Sequence, residues 1–146
     1  MRKADLLDEL RSEIGVVSDK CKGEIDVLYR FVCQILYEKV SAYQFVSIYL
    51  VKQNCFYCHT FQGSSTLPRI IPFGEGLLSV AAMHAGVMVE RVGSTVQAVA
   101  PFYCGHHLVG ELVILSSPNE KLDDEDISLF HELASLFERK VKESYF

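Results

Sequence analysis

The chain has 146 residues, 49% apolar and 23% charged, with 14 basic against 19 acidic side chains and a net charge of −5 with histidines neutral. A chain of this size is expected to form one domain that buries roughly 70% of its unfolded surface, so it needs no disulfide or metal staple. The acid excess, and the acids that dilute the basic clusters Lys20–Lys22 and Arg139–Lys142, argue against nucleic acid or anionic lipid as the main partner.

Met1-Arg2-Lys3-Ala4-Asp5 leads directly into an acid-bearing segment with no secretory signal, so a cytoplasmic location is expected. Leu6, Leu7, Leu10, Ile14 and Val17 share one face of a predicted helix over 4–17, which Gly15 and Ser18-Asp19 should end. A second helix is predicted over 22–40, with Ile25, Leu28, Val32, Ile35 and Leu36 as its seam. At Gln44 the period changes to two: Gln44–Val51 and Cys55–Gln62 read as a hairpin about Lys52-Gln53-Asn54. Ser64–Pro68 is loop, and Gly74-Glu75-Gly76 precedes a short helix over Leu77–Ala85. The longest apolar stretch, Leu77–Val89, is broken by Ser79, His84 and Gly86 and is too short for the ~20 residues of a membrane span. Val87–Val92 is a strand, and Thr95–Tyr103 with Leu108–Leu115 forms a second hairpin around Cys104-Gly105-His106-His107. A last helix opens at Leu122-Asp123-Asp124-Glu125-Asp126. Its acids look like paired carboxylates for catalysis or a cation site, but acids in a first helical turn more simply cap free N–H groups and oppose the helix dipole. The expected architecture is α+β: an antiparallel sheet of about five or six strands, terminal helices on one face, and a short helix plus loops over a pocket on the other. The terminal helices carry more apolar residues than one sheet face needs, which predicts a homodimer through a helical bundle.

Phe61-Gln62-Gly63, then Arg69-Ile70-Ile71-Pro72-Phe73-Gly74-Glu75-Gly76, resembles a GAF domain, nearest to the enzymes that reduce free methionine-(R)-sulfoxide. Ile48–Val51, Val99-Ala100-Pro101-Phe102, Val109-Gly110-Glu111-Leu112 and the start of the last helix fit the same series. The resemblance implies a single GAF domain over 1–146, with a core at 22–140 and an added N-terminal helix at 1–20. It does not carry the enzyme chemistry. The reductases' cysteine positions fall near Leu67, on Leu78 and in the shortened loop Val92–Thr95, and none of these holds a thiol. Their ammonium-binding acids fall on Gln97, Val113 and Leu115. A sulfoxide reductase needs a thiolate and a resolving thiol, so the resemblance implies a non-catalytic sensor or regulatory interaction module. The alternative is a free methionine-(R)-sulfoxide reductase that uses displaced cysteines.

Period-two counting places Phe45, Ser47 and Tyr49 on one face of a strand, and the resemblance makes that the pocket face. Gln97, Val99, Val113 and Leu115 join it, with Leu77, Leu78 and Met83 above. The candidate polar groups are the Ser47 and Tyr49 hydroxyls and the Gln97 amide; no acid is expected there for an ammonium ligand. Two ligand classes remain: a small neutral molecule, or a small anion at the short-helix N-terminus near Leu77–Ser79. Nitrate is a candidate by analogy with nitrate-sensing GAF proteins, which signal to a sensor kinase. The same residues could also simply fill a core. No cofactor is expected.

Cys21, Cys33, Cys55, Cys58 and Cys104, an odd number without an export signal, are expected as free thiols. Cys55-Phe56-Tyr57-Cys58-His59 matches the pattern for covalent haem, but residues three apart on a strand point to opposite faces. Cys55, Cys58 and His59 with Cys104, His106 and His107 form a weak zinc candidate at two hairpin tips that share one end of the sheet. His84 is expected on a helix surface and His131 in helix packing.

Overall fold

The computed structural model describes residues 2–120 and 122–145. The chain order is α1 (Lys3–Lys20), α2 (Ile25–Lys39), β1 (Tyr43–Lys52), β2 (Cys55–Gly63), β3 (Ile70–Pro72), α3 (Gly76–His84), β4 (Met88–Val92), β5 (Thr95–Cys104), β6 (His107–Ser116) and α4 (Asp124–Tyr145). The strands form one antiparallel sheet in the order β3-β2-β1-β6-β5-β4. No helix among the described residues is long and apolar enough to cross a membrane.

The two predicted hairpins, β1–β2 and β5–β6, form as expected, and β4 with β5 makes a third about Gly93-Ser94. Gln53 and Asn54 take φ of 52° and 64°, the paired left-handed conformation that matches the twist of a two-residue hairpin. The sixth strand, β3, is a three-residue edge whose Ile71 pairs with Phe56. Its sequence carries no alternation to announce it, and Pro72 is tolerated because an edge strand leaves one side unpaired. Gly63 ends β2 at φ 90°, where a Cβ would meet the Gln44 carbonyl oxygen at 2.1 Å, so only glycine permits this approach.

Helices α2 and α4 cover the first face of the sheet, and α1 packs on those two helices. Leu7, Leu10 and Ile14 of α1 join Leu28, Val32 and Leu36 of α2 and Phe130, Leu133 and Phe137 of α4 in one core. That packing carries α1 through Gly15 and Ser18 to Lys20, past its predicted end. A glycine costs only about 1 kcal/mol against alanine in a helix, less than the seam gains. That seam lies buried within one chain.

The acids that open α4 form a reciprocal cap. Asp123 Oδ1 accepts from the Glu125 and Asp126 N–H groups at 3.0 and 3.3 Å, and Asp126 Oδ2 accepts from the Asp123 N–H at 3.0 Å. Asp126 is fully buried and also takes the Tyr43 hydroxyl and the Lys3 ammonium. It thereby joins α1, β1 and α4. His131 is solvent-exposed on α4, a correction to its expected packing role, because the helix buries Phe130, Leu133 and Ala134 instead.

Candidate functional site

The second face is built by strand parity. Phe45 lies opposite Leu115, Ser47 opposite Val113, Gln97 opposite Leu115 and Val99 opposite Val113, so all six side chains point to one side. Phe45, Tyr49, Val99, Val113 and Leu115 pack with Leu77 and Leu78 of α3 in a second apolar core. Met83 does not join them. It is 88% exposed on the outer side of α3, because Leu77, Leu78 and Ala81 already turn that helix's other side to the sheet.

This core fills the space beneath α3, and the openings lie to one side, around the loop Ser64–Pro68. A cavity of about 250 Å³ is lined by Phe45, Tyr49, Cys58, Phe61, Leu67 and Arg69, among others. A cavity of about 520 Å³ lies on the other side of the loop, lined by Gln44, Thr66, Thr95, Gln97 and Leu115, among others. Ser64, Ser65 and Leu67 wall both. Of the predicted pocket residues, Phe45 and Tyr49 reach the first and Gln97 and Leu115 the second. Ser47, Leu77, Leu78, Val99 and Val113 line neither. The first turn of α3, the predicted anion position, is likewise outside both.

Hydrogen bonding separates the three predicted polar groups. Ser47 donates to the Val113 carbonyl at 3.0 Å, and Tyr49 donates to the Pro68 carbonyl at 2.8 Å. Tyr49 thus fastens the loop between the cavities, and burial pushes its phenol pKa up so that it remains a donor. Gln97 is 3% exposed, and its Nε2 has no hydrogen-bond partner among the described residues. An unmet buried donor costs about 1–3 kcal/mol. Of the three predicted polar groups, it is the one still free to bond. The nearby cation is Arg69, whose guanidinium lies 4.5 Å from the Phe61 ring centroid. It has no ion-pair partner among the described residues.

One extra residue in β2 determines where the cysteine motif points. Ile48 pairs with Thr60 and Tyr49 with Cys58, so His59 is bulged out of the ladder. Cys58 therefore faces the smaller cavity. His59 faces α2, where it meets Asp26 and sets its ring edge against Tyr29. Cys55 lies three residues before Cys58, on the opposite face. Cys104 and His106 sit at the tip of the β5–β6 hairpin, at the same end of the sheet as the β1–β2 turn that Cys55 follows. No group of three or more His, Cys, Asp or Glu residues among the described residues is gathered to hold a metal. Burial pushes the Cys58 thiol above its ordinary value, against the opposing pull of Arg69 and of the nearby Tyr49 hydroxyl.

The second face also holds an acid, against the expectation that none lies there. Glu111 of β6 lies between Tyr49 and Pro101, one pair beyond Val113. It is fully buried, and neither carboxyl oxygen has a hydrogen-bond partner among the described residues. Burial pushes its pKa up to about 9, so the group is a neutral acid at pH 7. The signal was present in the sequence: Glu111 shares the parity of Val113 and Leu115 in an otherwise apolar strand.

No protein-family model and no curated protein matches the sequence. Solved structures do match the fold. Free methionine-R-sulfoxide reductase from Neisseria meningitidis, in complex with its substrate, superposes with a TM-score of 0.87 at 22% identity over 99% of this chain and 93% of its own. A protein from Burkholderia vietnamiensis described as a GAF sensor gives 0.87 at 19% identity over the whole of both chains. The GAF domain of a phosphoenolpyruvate-protein phosphotransferase from Coxiella burnetii gives 0.81 at 14% identity over 99% of this chain and 97% of its own. The chain has the GAF fold.

Proposed function

We propose that residues 1–146 act as a non-catalytic GAF sensor module, a core at 22–140 with an added N-terminal helix, that binds a small hydrogen-bond-accepting molecule beside the loop Ser64–Pro68. The unpartnered Gln97 amide at the wall of the 520 Å³ cavity carries this reading. A buried donor held open is a stability cost that a ligand acceptor would relieve. Among the described residues no carboxylate lines either cavity, while Arg69 lines the smaller one. That balance favours an anion such as nitrate, or a neutral molecule bearing carbonyl or ring-nitrogen acceptors, over an ammonium ligand. The Neisseria reductase, solved in complex with its substrate, supports the use of this fold to hold a small molecule, and the Burkholderia protein described as a GAF sensor supports a sensory role. A sensor kinase or another regulatory protein would receive the signal.

Thermal unfolding in the presence of nitrate, nitrite, purines, cyclic nucleotides and free amino acids tests the proposal. One acceptor-bearing compound should raise Tm, by the equivalent of about 2.7 kcal/mol at a hundredfold excess over Kd. Gln97→Leu should keep the fold and lose that response. Flat curves across the panel, or an undiminished shift in Gln97→Leu, would count against the site.

A thiol-based reductase is the second reading, and the observation favouring it is Cys58 in the smaller cavity. Burial disfavours its thiolate, and no second cysteine lines that cavity among the described residues. Thioredoxin-coupled turnover of free methionine-(R)-sulfoxide is therefore expected at background. Turnover that Cys58→Ser abolishes would reverse the order of the two readings.

A further inference from the structure

On the opposite side of the sheet, the start of α2 and the end of α4 stand apart over the ends of β1, β2 and β6. Between them is a cavity of about 730 Å³, within the usual range for small-molecule sites. Leu50 and Val109 belong to its floor, and Ile25 and Val141 to its walls. Leu50, Val109 and Ile25 are only half-buried, so apolar surface remains in contact with water at the bottom of a recess. Cys104 and His107, at the β5–β6 turn, line this cavity and also a second one of about 670 Å³. Arg139, Lys142 and Glu138 of α4 border the second cavity. One Glu138 oxygen is occupied by the Tyr103 N–H at 2.9 Å. Arg139 and Lys142 are exposed and have no ion-pair partner among the described residues.

We infer that this pair of cavities binds a single aliphatic chain with an anionic head, a free medium-chain fatty acid being the simplest example. The chain lies over Leu50 and Val109, and the carboxylate reaches Arg139 and Lys142 past the β5–β6 turn. Covering half-exposed apolar side chains supplies the non-directional part of the affinity. Two cations against one engaged carboxylate supply the selectivity for an anionic head. A recess between two helix ends admits one chain but not a bilayer surface, and the net charge of −5 opposes an anionic membrane. This site shares no lining residue with the cavities beside Ser64–Pro68, so it stands apart from the sensor reading.

Calorimetric titration of the full chain with sodium decanoate, decanol and sodium acetate, at concentrations below decanoate aggregation, tests the inference. Decanoate should bind one to one, decanol more weakly, and acetate not at all. The double variant Arg139→Ala/Lys142→Ala changes exposed residues and should fold normally. It should lose at least about tenfold in decanoate affinity and leave decanol affinity unchanged. Three results would each overturn the site: no decanoate binding, equal binding by the double variant, or binding abolished by Gln97→Leu, which would place the ligand on the other face.

Discussion

Glu111→Leu is expected to stabilise the fold by about 3 kcal/mol or more at pH 7, and Glu111→Gln to remove a large pH dependence. The folded carboxyl has its pKa raised to about 9 by burial, against an ordinary value of 4.5. Between those two values the folded chain therefore holds one proton that the unfolded chain has released. The contribution of this group is complete below about pH 4.5, falls by about 1.4 kcal/mol per pH unit above it, and is lost as the pH passes about 9. Leucine has similar bulk and no group to desolvate, so it removes the penalty and keeps the packing between Tyr49 and Pro101. Glutamine keeps the polarity without the titration. Urea unfolding at pH 5, 7 and 8.5 reads both effects. The stability of the native chain should fall relative to Glu111→Gln as pH rises. Parallel curves for the two would show that Glu111 meets a partner or water in solution.

The opposite result is expected at the other buried acid. Asp126→Ala should cost about 3–5 kcal/mol, because it strips the acceptor from the Tyr43 hydroxyl, the Lys3 ammonium and the Asp123 N–H together. Asp126→Asn should cost less, since it retains one acceptor oxygen. Tyr43→Phe should cost about 1–2 kcal/mol, and the double variant should fall short of the sum because the residues share a network. Urea unfolding midpoints check the series. A loss below about 1 kcal/mol for Asp126→Ala would mean that the junction of α1, β1 and α4 does not depend on this carboxylate.

These two acids also mark the limit of what local sequence signals carry. Asp126 was legible as a cap, because an acid in the first helical turn has that role wherever the helix lies. Its burial was not, because that depends on Lys3 and Tyr43 arriving from distant parts of the chain. Glu111 carried a clear parity signal, but parity names a face and says nothing of what stands opposite. The same limit applied to Ser47, Tyr49 and Gln97. Alternation places all three on the second face, yet only the folded chain shows that Val113 and Pro68 carbonyls engage the first two and leave the third unmet. The bulge at His59 went unread for a related reason. It is a mismatch between two strands, and neither strand contains it alone.

By itself, the sequence determined the helices, the two hairpins and the division of side chains between the faces of the sheet. Those features follow from periods of 3.6 and 2.0 and from turn residues that act over a few neighbours. Tertiary structure decided where space remained, which polar groups were already engaged, and how far α1 and β2 departed from their local signals. Cavities and unmet hydrogen bonds are sums over residues far apart in the chain, so they acquire values only when the packing is complete.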